Sequence, residues 1–289
     1  MFISGFTIVR NAIRYDYPVV EAITSILPVC NEVVVAVGQS DDQTLELIKE
    51  IGSPKIRIIE TEWSMQLREG GRVLAIETDK ALQAISPQAD WAFYIQADEI
   101  LHEEYAQVVV NAMRKYQNDP DVEGLLFKYL HFYGSYDFVG DSRRWYRNEV
   151  RIIRPGKGIT SYRDAQGFRI NGKRLKVKPS GATIYHYGWV KPPEKQQAKQ
   201  QNFHKLWHSD DWVAQNIKQA EGFEYSSIDS LALFKGTHPQ VMRPRVETQN
   251  WKFDFDPTHK NFGLKSWLLW RFEKLTGIRI GEYRNYRLI

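Results

Sequence analysis

Residues 93–101 read FYIQADEIL, a bulky apolar run that ends in a small residue and two acids, Asp98 and Glu99. An acid at the tip of a buried strand has two uses. It can cap a following helix, here over 99–116, or it can hold a hard cation such as Mg2+ or Mn2+, which takes oxygen ligands, often one or two carboxylates plus phosphate oxygens. Gln96 offers no anionic ligand but can bond hydroxyl groups. His186, between Tyr185 and Tyr187, is either a packed core histidine or a neutral second ligand, of a kind Mn2+ accepts more readily than Mg2+. The loop after it, GWVKPP, has Gly188 as a hinge that would swing His186 over a cleft. His204 and His208 share a helix face, but Lys205 stands where a metalloprotease motif has glutamate, so they read as a packed or solvated pair. Asp141, Glu149 and Asp164 are each a general-base candidate or an ordinary turn acid. Arg143, Arg144, Arg147, Arg169, Lys173 and Arg174, interleaved with aromatics, either grip an anion or form a solvated face.

These residues need elements to carry them. The first half alternates strand and helix signals. Strands are expected at 2–9, 32–38, 55–60 and 91–95, and helices at 17–27, 40–51, 68–85 and 103–116. Alternation of this kind means a parallel sheet with ligands at the carboxyl ends of the strands. The texture changes after residue 120. Strands are expected at 124–134, 149–154, 160–178 and 182–190, a polar helix at 193–208 and an apolar-basic helix at 264–277.

The chain has 289 residues, enough for one large α/β domain or two smaller ones. Hydrophobic residues make up 43% and charged residues 26%, an ordinary globular composition. A net charge of +4 is too weak a bias for nucleic-acid binding. Cys30 is the sole cysteine, which excludes a disulfide framework and a thiolate zinc site. Neither a signal peptide nor a run of 18 apolar residues is visible, so a cytoplasmic location is expected. Trp267, Leu268, Trp270, Arg271 and Lys274 on the 264–277 helix would suit peripheral contact with the inner face of a membrane, or packing on the main domain.

Three pieces in order resemble the family 2 glycosyltransferases. They are a strand followed by Arg10 and Asn11, the turn VAVGQSDDQT (35–44) with Ser40, Asp42 and Thr44, and DWAFYIQADEIL (90–101), which is similar to the strand ending in the DxD motif. Gly71, Arg72 and Ala75 sit where that family starts its Gly-rich helix. Two positions depart: Gln96 replaces the first acid of DxD, and Gly38 replaces the acid that reads the nucleotide base, for which Asp41 or Asp42 would substitute. The resemblance implies a GT-A-like α/β fold with a mostly parallel sheet. It places that domain over 1–215, with a nucleotide-sugar half at 1–120 and an acceptor half at 121–215, and leaves 216–289 as a mainly helical extension. It implies transfer of a sugar, with inversion, from a nucleoside-diphosphate donor to a hydroxyl of a saccharide or lipid-linked acceptor. In that scheme Arg10, Asn11, Gly38, Ser40, Asp42, Gly71, Arg72 and Gln96 contact the donor, Asp98 and His186 hold Mg2+ or Mn2+, and Asp164 is the base. A non-catalytic nucleotide- or saccharide-binding protein and a nucleotidyltransferase are the alternatives. The segment VRNAIRYDYP has no glycine, against the latter's Gly-rich loop.

Overall fold

The run ISGFTIV has no polar face to show to water, and all seven residues of the strand Ile3–Val9 are buried. It lies in the middle of a parallel set whose order is Ile56–Thr61, Glu32–Gly38, Ile3–Val9, Trp91–Tyr94. Val9 pairs with Val37, and Phe6 with Tyr94. All four strands therefore end along one edge, where the segments 10–16, 39–43, 62–71 and 95–98 gather. The computed structural model describes residues 1–67, 69–156, 158–216 and 220–289, apart from the side chain of Met65.

Strand alternation sorts the core into two layers. Trp91 and Phe93 face the helices Val19–Ile26 and Ala106–Lys115, while Phe6, Ala92 and Tyr94 face the helix Arg72–Gln83. Beyond Trp91–Tyr94 the sheet continues in antiparallel fashion through Asn148–Ile153, Gly124–Tyr133 and Ser135–Gly140. The long strand Lys176–Trp189 joins it, parallel to Gly124–Tyr133. The result is a helix-flanked α/β architecture around a mixed sheet. No helix among the described residues is long and apolar enough to cross a membrane.

Several expected elements come out differently. Glu99–Leu101 is a short strand that pairs antiparallel with Ile184–His186, and the α-helix begins only at Ala106. Asp98 therefore caps no helix. The stretch 160–178 splits into a small sheet (Ile159–Tyr162, Gly167–Ile170, Lys173–Arg174) and the start of the long strand. The helix expected from 68 is regular from Arg72 to Gln83, and Arg68 lies outside the described residues. The segment 216–289 is not mainly helical. Among its described residues, α-helix covers Arg243–Glu247 and Leu264–Thr276, while Leu231–Leu233 and Arg287–Leu288 add strands to the main sheet. Its apolar residues lack helical spacing because they pack on that sheet: Tyr225, Ile228 and Leu231 cluster with Tyr133 and Phe138.

Candidate functional site

At the carboxyl end of the parallel strands lies a cavity of about 450 Å³. Five of the expected site residues line it: Arg10, Gln96, Asp98, Asp164 and His186. Aromatic side chains form much of its wall, among them Tyr17, Trp63, Tyr94, Trp189 and Phe203. Such faces stack on planar or ring-shaped ligands.

The two consecutive acids have opposite fates. Glu99 is fully buried. It accepts from Arg151 Nη2 at 2.6 Å and Nε at 2.7 Å, from the Tyr129 hydroxyl at 2.7 Å and from the Gln96 amide at 3.1 Å. Every oxygen lone pair that matters is committed, so Glu99 fixes the strand tip. Asp98 faces the cavity, 8% exposed. Its Oδ2 accepts from Lys199 Nζ at 2.9 Å, and that ammonium also donates to the Gly188 carbonyl at 2.9 Å. Burial alone would raise the Asp98 carboxyl, but the Lys199 ammonium outweighs it and holds the group well below the usual carboxylate range. Gly188 is a position of close approach rather than a hinge. A Cβ there would stand 2.7 Å from both Asp98 Oδ2 and His186 Nε2. His186 thus reaches the cavity with no loop movement.

Hydrogen bonding assigns the histidine tautomers. His131 Nε2 lies 2.8 Å from the Tyr146 carbonyl, which only accepts, so Nε2 carries the proton. His131 Nδ1 then accepts from His186 Nδ1 at 3.1 Å. The lone pair of His186 is left on Nε2, 3.7 Å from Asp98 Oδ1. Burial pushes both histidines below their ordinary values, which keeps them neutral.

Asp164 sits in a tight turn flanked by Arg163 and Ala165, both at positive φ (57° and 63°), a conformation non-glycine residues adopt at a cost. Burial raises its carboxyl. Gly71, itself at φ 74°, admits this turn, because a Cβ there would meet Asp164 Cβ at 2.8 Å. Gly71 thus shapes the site through Asp164, whereas Arg72 is exposed and does not line the cavity. The other two base candidates are elsewhere. Asp141 is tied to Lys260 and Lys274. Glu149 is buried against Asn285 and Gln166, and burial pushes it up to about 7.

The turn at 38–44 is a clasp between loops, which corrects the expected donor contacts. Asn11, at φ 54°, is buried. It donates to Asp41 Oδ2 at 3.2 Å, accepts from the Asp41 amide at 2.8 Å, and its own amide reaches Ser40 Oγ at 3.0 Å. Asp42 accepts from the Arg14 amide at 2.8 Å and from the backbone and hydroxyl of Thr44. None of Asn11, Ser40, Asp41 and Asp42 lines the Asp98 cavity. Gly38, Ser40 and Asp42 border a separate cleft with Glu46, Glu60 and Glu62, an acidic surface that repels a diphosphate. At Gly38 the indole of Trp63 takes the space of a side chain, and a Cβ would stand 2.4 Å from its Nε1. The space beside Gly38 is thus filled by an aromatic wall.

Lys199 and Trp63 went unseen in the sequence as site residues. A signal for Lys199 was present: Lys199, Asn202, Phe203 and Leu206 fall at i, i+3, i+4, i+7 along the helix Pro193–Lys205 and its cap, and all four line the cavity. Trp63 had no comparable signal.

The donor set can be tested against Mg2+ or Mn2+. Asp98 Oδ1 and His186 Nε2 converge, but the Asp98 carboxylate is already neutralised by an ammonium in contact with it. The first acid of the motif is replaced by Gln96, and Glu99 belongs to Arg151. No group of three or more His, Cys, Asp or Glu able to hold a metal exists among the described residues. With Lys199 in place the set does not fit a divalent ion, since like charge at contact distance opposes it.

No protein-family model and no curated protein matches the chain. Among solved structures it is similar to S. aureus TarS 1–349 in complex with UDP, at 16% identity and a TM-score of 0.34, over 47% of this chain and 36% of that one. The chain spans little more than a third of that protein. A second TarS 1–349 structure aligns at 13% identity and a TM-score of 0.42 over 76% of this chain and 67% of that one. Glucosyl-3-phosphoglycerate synthase from Mycobacterium tuberculosis, in complex with Mn2+, UDP and phosphoglyceric acid, aligns at 18% identity and 0.30 over 45% and 43%. The 4-diphosphocytidyl-2C-methyl-D-erythritol synthase from Anaerococcus prevotii aligns at 16% and 0.33 over 53% and 70%. At these values the site itself has to carry the functional reading.

Proposed function

We propose that the cavity takes a nucleoside-diphosphate sugar and that the protein transfers its sugar, with inversion, to a hydroxyl of a saccharide or lipid-linked acceptor. The observation that carries this reading is the pairing of two unlike acids on one aromatic-walled cavity. Asp98 is held charged beside Lys199, and Asp164 is shifted toward neutrality by burial. A transfer of this kind needs a cationic environment for the leaving diphosphate and a separate base for the incoming hydroxyl. In the reaction the acceptor oxygen bonds to the sugar's anomeric carbon and its proton goes to the Asp164 carboxylate. The bond from that carbon to the phosphate oxygen breaks, and its electron pair leaves with the nucleoside diphosphate. Gln96 and Arg10 face the same space and suit the hydroxyl and phosphate groups of the donor. The Mg2+ or Mn2+ that the resemblance implies does not fit the donor set as it stands, and these residues act without one.

The peripheral contact expected of the 264–277 segment belongs to the same reading. The helix Leu264–Thr276 is held by Trp270, which donates to the Asp141 carbonyl, and by Glu273, paired with Arg143. Its other face shows Leu264, Leu268 and Leu275 at 76%, 54% and 81% exposure. Apolar residues this exposed, with Lys265 and Arg271 among them, suit the surface of an anionic bilayer carrying a lipid-linked acceptor. A cytoplasmic site of action follows from the donor.

The test is a thermal-shift panel of nucleoside diphosphates and sugar nucleotides, followed by donor hydrolysis. A ligand at about 100 times its dissociation constant stabilises by roughly 2.7 kcal/mol. Asp164→Asn is expected to keep donor binding and to lose turnover about a hundredfold. Binding of a sugar nucleotide without any hydrolysis or transfer would favour the non-catalytic alternative, which Gln96 and Gly38 motivate.

A further inference from the structure

Lys199 occupies the position from which a divalent ion would act. Its ammonium is in contact with the Asp98 carboxylate and with the Gly188 carbonyl, and it lies 4.9 Å from the ring of Tyr17. Two of its three N–H groups are thus directed, and among the described residues the third has no protein acceptor. The lysine also lines the cavity. Its backbone is held on a helix that starts at Pro193 and lays Asn202, Phe203 and Leu206 along the same wall. The charges around it leave no vacancy for a dication. Glu99 is matched by Arg151, the first acid of the motif is an amide at Gln96, and Lys191, a second lysine, is buried behind Tyr17.

We propose that Lys199 is the cation of this site: the protein binds a nucleoside diphosphate without a divalent metal, and the Lys199 ammonium, aimed by Asp98 and the Gly188 carbonyl, directs its free N–H at the diphosphate. This rests on the donor reading given above. A diphosphate oxygen gains negative charge as the bond to the sugar breaks, and an ammonium already held in place by Asp98 and the Gly188 carbonyl offsets that charge. Lys199 keeps its proton throughout, since the electron pair stays on the departing phosphate oxygen and the acceptor's proton goes to Asp164. Asp98 is then a positioning residue for Lys199 rather than a ligand. A corollary follows from the same geometry. Removing the ammonium leaves Asp98 Oδ1, Oδ2 and His186 Nε2 facing one space with one uncompensated negative charge, which is a better site for Mn2+ than the native one.

The experiment measures binding of UDP, GDP, TDP and CDP by calorimetry to the wild-type chain and to Lys199→Ala, each in EDTA and in excess MnCl2. For the diphosphate that binds most tightly, the wild-type dissociation constant is expected to differ by less than about threefold between the two conditions. In EDTA, Lys199→Ala is expected to weaken it by about tenfold or more, the usual effect of losing a charge-assisted hydrogen bond, and MnCl2 is expected to restore part of that loss. Manganese resonance spectra give an independent readout, with free-ion signal lost on adding the variant and not the wild type. Wild-type binding that appears only with MnCl2 overturns the inference while leaving the donor reading standing, as does a variant that binds in EDTA as the wild type does. No binding of any diphosphate to the wild type in either condition overturns both. Where Lys199→Ala does not fold, the wild-type comparison in EDTA and MnCl2 decides alone.

Discussion

Two strand ends on the same edge of the sheet can be set side by side. After Gly38 the chain is rich in side-chain oxygen, with Ser40, Asp41, Asp42 and Thr44, and it closes on itself. Its groups bond the 10–14 loop or one another, and the glycine is covered by Trp63. After Ile95 the chain is poorer in polar groups, yet it is the end that faces a cavity. The difference lies in who satisfies the acid. At 38–44 the hydrogen-bond partners are backbone amides, the Asn11 side chain and the Thr44 hydroxyl, all neutral groups of the two loops themselves. At 96–98 the partner is a lysine brought from a distant helix, and an ammonium on a flexible stem can serve a ligand as well as a carboxylate. An acid-rich turn is therefore a site only where its partners are side chains that a ligand can share.

The largest expected effect tests the anchor of the open end. Glu99→Ala strands the Arg151 guanidinium in a fully buried place, and a loss of about 3–5 kcal/mol is expected by urea unfolding. An effect near zero would mean that the tip is held by the sheet alone. Next comes Glu149, which backs the Asp164 turn through Gln166. Burial pushes it up to about 7 from 4.5. Its folded form holds a proton more tightly, so the stability it adds is full below about pH 4.5 and is lost as pH rises through about 7. Glu149→Gln should flatten that slope and, at pH 8, recover up to about 3 kcal/mol relative to wild type. A smaller effect separates the closed end from the open one. Asn11→Ala removes two side-chain hydrogen bonds of the clasp and should cost about 1–3 kcal/mol while leaving nucleoside-diphosphate affinity within about threefold. A large loss of affinity with little loss of stability would return the 38–44 turn to the site. The smallest effect on stability is expected at the surface. Leu268→Glu should change it by less than about 0.5 kcal/mol but abolish binding to vesicles containing anionic lipid. Equal binding by wild type and variant removes the helix from any membrane role.

Much of this was legible in the sequence, and the parts that were not share a cause. The parallel strands could be read because uninterrupted apolar runs such as EVVVAVG leave no face for water. Asp98 and Gln96 could be placed at a cleft because ligands gather at the carboxyl edge of such a sheet, and Arg10, Asp164 and His186 joined them through the family resemblance. Glu99–Leu101 was misread as the start of a helix because three residues carry no period of their own. Its strand character comes from pairing with Ile184–His186. The clasp was misread because SDDQT looks locally like helix-capping chemistry, and the bonds that redirect it run to residues 28–30 positions earlier. Lys199 meets Asp98 across 101 positions, a pairing that only the tertiary fold sets.

The long strand Lys176–Trp189 takes partners from three places in the chain: Glu99–Leu101, Gly124–Tyr133 and Arg287–Leu288. This has a consequence for the order of assembly during synthesis. The four parallel strands can pair as soon as residue 94 has left the ribosome, but the tip that follows Asp98 has no strand partner until residues 184–186 follow. Contacts between segments so distant in sequence form slowly. In the interval the nascent chain carries an unpaired edge next to apolar surface, the condition in which partly folded chains associate. Slow passage of the ribosome through residues 102–183 should therefore lower the yield of soluble protein more than the same delay placed within residues 10–90.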